Sequence, residues 1–298
     1  MNSSAGFVAL LGAPNAGKST LLNRLLGEKL SIVTPKAQTT RMRTLGILTQ
    51  GDVQMGILDT PGIFRPKTRF EKAMVRAAWE SLDQADSIVV ILDAAAKDAH
   101  EKASNILEVL AHRKLKATLV LNKSDRIKVE KLLPLSAKLH ESGLFDDVFM
   151  ISALSGDGMD ALKTHLLACM PKGPWLFPAD QLTDLPERLC AAEITREQLL
   201  LQLHEELPYG AAVLPESWAA GKDGALHIHQ QIVVAKDSHR AMVLGKKGAK
   251  IRSIGQAARQ EMETQFDCRV HLFLNVKADQ RWQERASFYD LFGLESKK

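Results

Sequence analysis

The stretch Gly12-Ala13-Pro14-Asn15-Ala16-Gly17-Lys18-Ser19 constrains this chain more than any other. It fits G-x-x-x-x-G-K-[ST], and its flanks give the pattern its weight. Residues 7–11 form a short apolar run, as in a buried parallel strand. Residues 20–26 carry apolar side chains at helical spacing and stop at Gly27. Strand, glycine loop and helix in that order aim successive backbone N–H groups at phosphate oxygens from a helix N-terminus. Gly12 and Gly17 permit the tight turn, Lys18 reaches the β- and γ-phosphates, and the Ser19 hydroxyl suits Mg²⁺. Ala13, Pro14, Asn15, Ala16 and Thr20 complete the cradle.

Two short runs, 44–49 and 53–58, flank Gln50-Gly51-Asp52 and read as an antiparallel hairpin. The second ends in Asp59-Thr60-Pro61-Gly62. A carboxylate at the C-terminal end of a strand beside a phosphate loop is placed to hold Mg²⁺ from behind. Gly62 has no side chain, so its N–H can approach a γ-phosphate closely. Beyond it, helical stretches at about 70–84, 101–112, 129–142 and 158–169 alternate with apolar strands at 87–93, 117–121 and 148–151. This alternation predicts a mostly parallel sheet with helices on both faces, with ligands at the C-terminal strand ends.

Asn122-Lys123-Ser124-Asp125 lies at one of those ends. Guanine presents N1–H and the N2 amino group side by side, and the Asp125 carboxylate can accept from both; adenine offers no such pair. The series GAPNAGKS, DTPG, NKSD and SAL resembles the translation-factor branch of the small GTPases, over roughly residues 6–171. The resemblance implies that Thr40 is the switch threonine that closes on Mg²⁺, with Thr39 as the alternative register. It also implies that Ser152-Ala153-Leu154 meets guanine O6 through a backbone amide. Ile63 and Phe64 stand where Ras-like enzymes carry a water-orienting Gln, and an apolar side chain cannot orient water. The catalytic set is then Lys18, Thr40, Gly62 and Asn15, and the metal set Ser19, Thr40 and Asp59. In related GTPases with Pro-Asn in this loop, the Asn helps hold K⁺; the other reading of Asn15 is an Asn tolerated for left-handed geometry.

The second half has a different character. Residues 173–184, rich in Pro and aromatics, read as an ordered linker between a G domain at 1–172 and a smaller domain at 185–298. A helix is expected from Asp184, capped by that residue with Glu187 closing a capping box, to about Leu207. Strands at about 210–216 and 226–234 precede a helix, a Gly245-Lys246-Lys247-Gly248 loop, a second helix (249–264) and a last strand (267–276). Between Lys236 and Arg259 stand seven Lys or Arg and one acid, Asp237. This order resembles an α+β KH domain of the prokaryotic type (type II). Lys236, Arg240, Gly245, Lys246, Lys247, Gly248, Lys250 and Arg252 are its expected RNA-binding residues.

The net charge of +4 decides little by itself. The cysteines, Cys169, Cys190 and Cys268, lack metal or disulfide spacing. No apolar run reaches the length of a membrane span, and His227 and His229 share a strand face with no third ligand nearby in sequence.

The P-loop, QTTR, DTPGI, NKSD and GKKG together resemble the Era family of bacterial ribosome-assembly GTPases, as do residues 180–188 and 206–209. That resemblance implies a cytoplasmic, monomeric GTP-hydrolysing switch with Mg²⁺, GTP and GDP as ligands. It also implies partnership with the 30S subunit through ribosomal RNA near the small-subunit 3′ end, and peripheral association with the inner membrane. The alternatives are an RNA-binding scaffold with little turnover, or a GTPase of large-subunit assembly or tRNA modification. The former of these two enzymes would carry tandem G domains, and only one P-loop is present.

Overall fold

A computed structural model describes residues 3–36, 39–203 and 210–294. Two compact units emerge from it. The first comprises Met1–Ser31, Thr40–Asp184 and Tyr289–Lys298; the second comprises Ile32–Thr39 and Leu185–Phe288.

The first unit is built on a six-stranded sheet. Its strands are β1 (Ser4–Gly12), β2 (Thr44–Gln50), β3 (Val53–Asp59), β4 (Ser87–Asp93), β5 (Ala117–Asn122) and β6 (Phe145–Met150), in the order β2-β3-β1-β4-β5-β6. Only β2 runs antiparallel. Residues 8–11 of β1 are fully buried, as expected for a central strand covered on both faces. The helices are α1 (Lys18–Leu26), α2 (Arg69–Glu80), α3 (Ala99–Arg113), α4 (Val129–His140) and α5 (Met159–Ala168). One core packs Leu21, Leu22, Leu25, Leu162 and Leu166 against Val8, Leu10, Met55, Ile57 and Ile91. The other packs Ala103, Ile106 and Leu110 against Leu11, Val90, Leu92, Leu119 and Leu121. Alternating strand residues thus feed opposite cores. The stretch read as one helix over 70–84 breaks at Glu80 into a 3₁₀ turn, Ser81–Gln84.

Residues 173–184 run along the β2 edge of this unit. Gln54, almost fully buried, accepts from the Leu176 and Phe177 amides at 2.8 and 2.9 Å and donates to the Phe177 carbonyl at 2.9 Å. Ile47 N–H donates to the Leu182 carbonyl (2.8 Å) and the Thr183 hydroxyl to that of Leu45 (2.7 Å). These bonds cover an edge that would otherwise expose unpaired backbone groups.

The second unit holds α6 (Glu187–Gln202), β7 (Ala211–Ala220), β8 (Leu226–Val234), α7 (Asp237–Leu244), α8 (Ala249–Phe266) and β9 (Val270–Ala278). The sheet order is β7-β8-β9, with β7/β8 antiparallel and β8/β9 parallel. Leu199, Ala211, Val213, Ile232, Val234, Val243 and Ile254 form its core. A short helix α9 (Ala286–Leu291) follows.

Several sequence expectations are corrected here. Helix α6 begins after Pro186, whose extended backbone (φ −58°, ψ 138°) makes it the cap, and no side chain caps it. The expected Asp184–Glu187 box does not form at this end. The helix ends at Gln202; its expected extension through 204–207 lies outside the described residues, as do Ala37 and Gln38. Strand β7 is longer than expected and tolerates Pro215 because the ladder bulges there. Asp267 turns left-handed (φ 49°) and terminates α8, so β9 starts only at Val270.

Candidate functional site

Every nucleotide-binding motif of the sequence reaches one end of the first sheet. The loop leaves β1 and enters α1 through Gly17 at φ 103°, and Asn15 is also left-handed at φ 63°. A Cβ on Gly12 would stand 2.5 Å from the Ile91 carbonyl oxygen, and one on Gly17 2.1 Å from Asn122 Nδ2. Neither position accepts another residue. Lys18 is buried and donates to the Gly12 and Ala13 carbonyls, each at 3.1 Å. Burial lowers its pKa to about 8, although Asp59 pulls it up.

Ser19, Thr40 and Asp59 converge. Ser19 Oγ donates to Asp59 Oδ2 at 2.7 Å and lies 2.9 Å from Thr40 Oγ1. Thr39 points elsewhere, with its hydroxyl 2.7 Å from Thr34 Oγ1 and donating to the Lys36 carbonyl at 2.7 Å. Of the two threonines, Thr40 is the one whose hydroxyl lies beside Ser19. Asp59 is fully buried, and its Oδ1 accepts no hydrogen bond among the described residues. Burial pushes its carboxyl pKa up, against the pull of Lys18 and the hydroxyls of Ser19, Ser31 and Thr40. A buried carboxylate oxygen without a donor, beside two converging hydroxyls, is the oxygen-rich surrounding that suits Mg²⁺.

Asn122 joins the phosphate and base halves. Its Nδ2 donates to the Ala16 carbonyl at 2.8 Å, and its Oδ1 accepts from the Ala153 amide at 3.0 Å. Lys123 Nζ donates to the Asn15 carbonyl (2.8 Å) and to Asp93 Oδ2 (2.7 Å). Asp125 is exposed, which leaves its carboxylate available to a base. In the loop after β6, the amides of Ser152, Ala153, Ser155 and Gly156 have partners within the chain. That of Leu154 has none among the described residues. Arg24, which no motif singled out, donates from Nε to the Ala153 carbonyl at 3.1 Å and from Nη2 to that of Leu154, fixing the base loop to α1. Thr60 Oγ1 donates to the Leu10 carbonyl at 2.7 Å, and the Ile63 amide to that of Gly12 at 3.0 Å. The Ile63 side chain is buried, so it presents nothing to a nucleophilic water.

In the second unit the Gly245-Lys246-Lys247-Gly248 turn links α7 to α8. Gly245 (φ 68°) has no room for a Cβ, which would meet that of Lys250 at 2.6 Å. Lys236, Arg240, Lys246, Lys247 and Arg252 are exposed. Lys250 differs: it is half-buried and donates to the Gln202 carbonyl at 3.3 Å. A groove of about 480 Å³ runs from Gly248 along α8 to β9. Its apolar lining, Ile251, Leu272 and Leu274, was not legible in the sequence; Arg259, the last of the seven basic residues, also lines it and is held by Glu263 at 3.0 Å. The only local sign was Gly255, where a Cβ would press Leu274 at 3.3 Å. An apolar floor with a cationic rim suits unstacked bases and their phosphates. His227 and His229 stack on Phe273, and among the described residues no group of three side chains forms a metal cluster.

Residues 7–123 match the family model described as a 50S ribosome-binding GTPase, and residues 206–283 match a KH domain. GTPase Era of Maricaulis maris is 46% identical over 97% of this chain and 96% of its own length. GTPase Era of Erythrobacter litoralis is 49% identical over 98% and 97%.

The chain belongs to the Era family of GTPases.

Two solved Era structures match nearly all of the chain. One, in complex with MgGDPNP and nucleotides 1506–1542 of 16S ribosomal RNA, has a TM-score of 0.91 at 39% identity, covering 98% of this chain and 99% of that one. The other, an Aquifex aeolicus Era variant bound to GDP·AlF4⁻, has a TM-score of 0.90 at 39% identity, with coverage of 97% and 99%. Membership makes this chain a GTPase, with GTP or GDP and Mg²⁺ as the ligands of the first site.

Within this Era-family site, Gly62 gives a direct test. A Cβ there would stand 2.8–2.9 Å from Pro14 backbone and ring atoms. Relieving that overlap costs about 1–3 kcal/mol. Gly62→Ala should therefore weaken a GTP analogue about tenfold or more and slow hydrolysis, while GDP affinity changes little. Equilibrium titration with both nucleotides checks this.

Proposed function

We propose that this chain is a GTP-driven switch that binds ribosomal RNA near the small-subunit 3′ end through its KH groove and assists maturation of the 30S subunit. The observation that carries this is the full-length likeness to Era in complex with MgGDPNP and 16S nucleotides 1506–1542, with both halves matched at once. The proposed division along the sequence is a G domain at 1–172, a linker at 173–184 and an RNA-binding domain at 185–298; by contacts the linker and Tyr289–Lys298 group with the first unit and Ile32–Thr39 with the second. It works in the cytoplasm; peripheral contact with the inner membrane belongs to the proposal as a secondary location. No helix among the described residues is long and apolar enough to cross a membrane.

The residues divide the work as follows. Lys18 and the loop amides hold the β- and γ-phosphates; Ser19 and Thr40 ligate Mg²⁺, and Asp59 backs them. Bound there, Mg²⁺ would neutralise phosphate charge as the bond to the leaving oxygen breaks. The Gly62 N–H meets the γ-phosphate, Asp125 selects guanine, and the Leu154 N–H is the donor left for O6. With Ile63 turned into the core, no side chain at that position orients water. Asn15 holds K⁺ beside the phosphates in this reading; its left-handed backbone (φ 63°) is what the purely geometric reading also expects. Exchanging K⁺ for Na⁺ should then slow hydrolysis several-fold with little change in affinity, and Asn15→Ala should erase the difference. Equal rates of the wild type in the two salts would return Asn15 to a purely geometric role.

Single-turnover hydrolysis with and without purified small subunits tests the functional reading. Stimulation by 30S particles is expected; turnover that is slow and indifferent to them would favour a GTP-regulated scaffold.

A further inference from the structure

Arg196 and Glu197 of α6 take no part in the nucleotide site or the RNA groove, yet both are buried to within 2% of full. A buried charge is retained only with partners, because desolvation is costly. One partner of Arg196 is local: Nε donates to Glu193 Oε1 at 2.8 Å, and Nη2 pairs with Oε2. The other is not. Nη2 also donates to the carbonyl of Thr39, the residue before the switch threonine. Glu197 Oε1 accepts from the Val33 amide at 2.8 Å, and Lys36 Nζ donates to the Leu203 carbonyl at the end of the same helix. Ile32–Thr39 accordingly belongs to the second unit, while Thr40, one residue on, belongs to the first.

We infer that Arg196 and Glu197 are positioning residues that fasten the switch segment to the RNA-binding unit, so that seating Thr40 at the metal site and RNA affinity are thermodynamically linked. The inference rests on the proposed function and on Thr40 as the Mg²⁺ ligand. The physical reason is short: a peptide whose carbonyl is held by a buried guanidinium restricts where the next residue's side chain can go. Thr40 Oγ1 reaches Ser19 Oγ at 2.9 Å with its preceding carbonyl so held. Whatever favours that seat favours the state of α6 that allows it, and the linkage is reciprocal.

The test uses the full chain and an RNA oligonucleotide of the small-subunit 3′ end, with affinity measured under Mg·GDP and under a non-hydrolysable Mg·GTP analogue. The wild-type ratio of the two affinities is expected on the order of 5–150. In Arg196→Met the ratio should fall to within about twofold of one, with GTP-analogue binding by the RNA-free protein preserved. A merely structural role would lower both RNA affinities together and keep the ratio. Val33→Pro, which deletes the N–H that Glu197 accepts without touching α6, should also reduce the ratio and so guards against a folding failure of the first variant. Glu197→Gln keeps an acceptor and should keep most of the coupling. A wild-type ratio above five that survives in both Arg196→Met and Val33→Pro overturns the inference and leaves the functional reading intact. A wild-type ratio of one overturns the switch reading itself, and the inference with it.

Discussion

Asp125→Asn converts the base preference of this GTPase from guanine to xanthine. In the proposed site the carboxylate would accept from N1–H and from the N2 amino group, two hydrogen bonds to a charged acceptor worth about 1.5–3 kcal/mol each. Replacing one carboxylate oxygen by NH₂ removes an acceptor and turns a donor toward the N2 amino group. GTP affinity should fall on the order of 10²–10⁴-fold. Xanthine carries a carbonyl at C2, which accepts from the new amide, so xanthosine triphosphate should bind the variant better than GTP does. The surroundings make the change clean. Asp125 is exposed and lies outside the Asn122 and Lys123 contacts that hold the phosphate loop, so the fold has no reason to respond. Competition titration with the two nucleotides reads the result, and equal GTP affinity in variant and wild type would remove Asp125 from the base site.

The second large effect concerns the KH turn. Lys246 and Lys247 are exposed at the mouth of the groove, and Lys247 is left-handed at φ 52°. Replacing both by Asp removes two cations and adds two anions where phosphates are to lie. RNA affinity should fall by orders of magnitude, and the plot of log affinity against log salt should become shallower by about 0.7 per lost single-strand phosphate contact. Nucleotide binding by the first unit should survive, because its site is built on a separate core. Any hydrolysis stimulated by RNA should vanish together with RNA binding. Filter binding across a salt series, beside a turnover assay, separates the two halves. Undiminished RNA binding would exclude the turn from the RNA site.

The nucleotide site was legible in the sequence because phosphate and guanine chemistry use short contiguous segments. Gly12 to Ser19 and Asn122 to Asp125 each carry their reasons in a few residues, and strand periodicity places them at one sheet end. What the sequence left open were matters of distance between segments. Thr39 and Thr40 are indistinguishable by type, and only the 2.9 Å approach to Ser19 separates them. Arg24 reads as an ordinary basic residue at a helix end; its bonds to the 153 and 154 carbonyls cross about 130 residues of chain. The linker was legible as ordered from its Pro and aromatic content, but its seat on the β2 edge depends on Gln54, one polar residue in a buried strand. The basic rim of the KH groove stood out as charge, whereas its floor of Ile251, Leu272 and Leu274 is indistinguishable in sequence from core. The capping box at α6 was misplaced because Asp184 and Glu187 fit the motif's spacing, yet the helix starts after Pro186 with no side-chain cap. Motif spacing permits a cap; whether the backbone enters the helix there is decided by what precedes it, and Pro186 starts α6 two residues later than Asp184 would.

In the proposed function the GTP-bound form carries its KH groove to one region of ribosomal RNA. Crosslinking the full chain to small subunits, with a non-hydrolysable GTP analogue and separately with GDP, followed by mapping of the crosslinked RNA, tests it most directly. Crosslinks should concentrate at the 3′ end of the small-subunit RNA, be stronger with the analogue than with GDP, and be lost in the Lys246→Asp, Lys247→Asp variant. Crosslinks spread evenly over the RNA, or equal in the two nucleotide states, would contradict it.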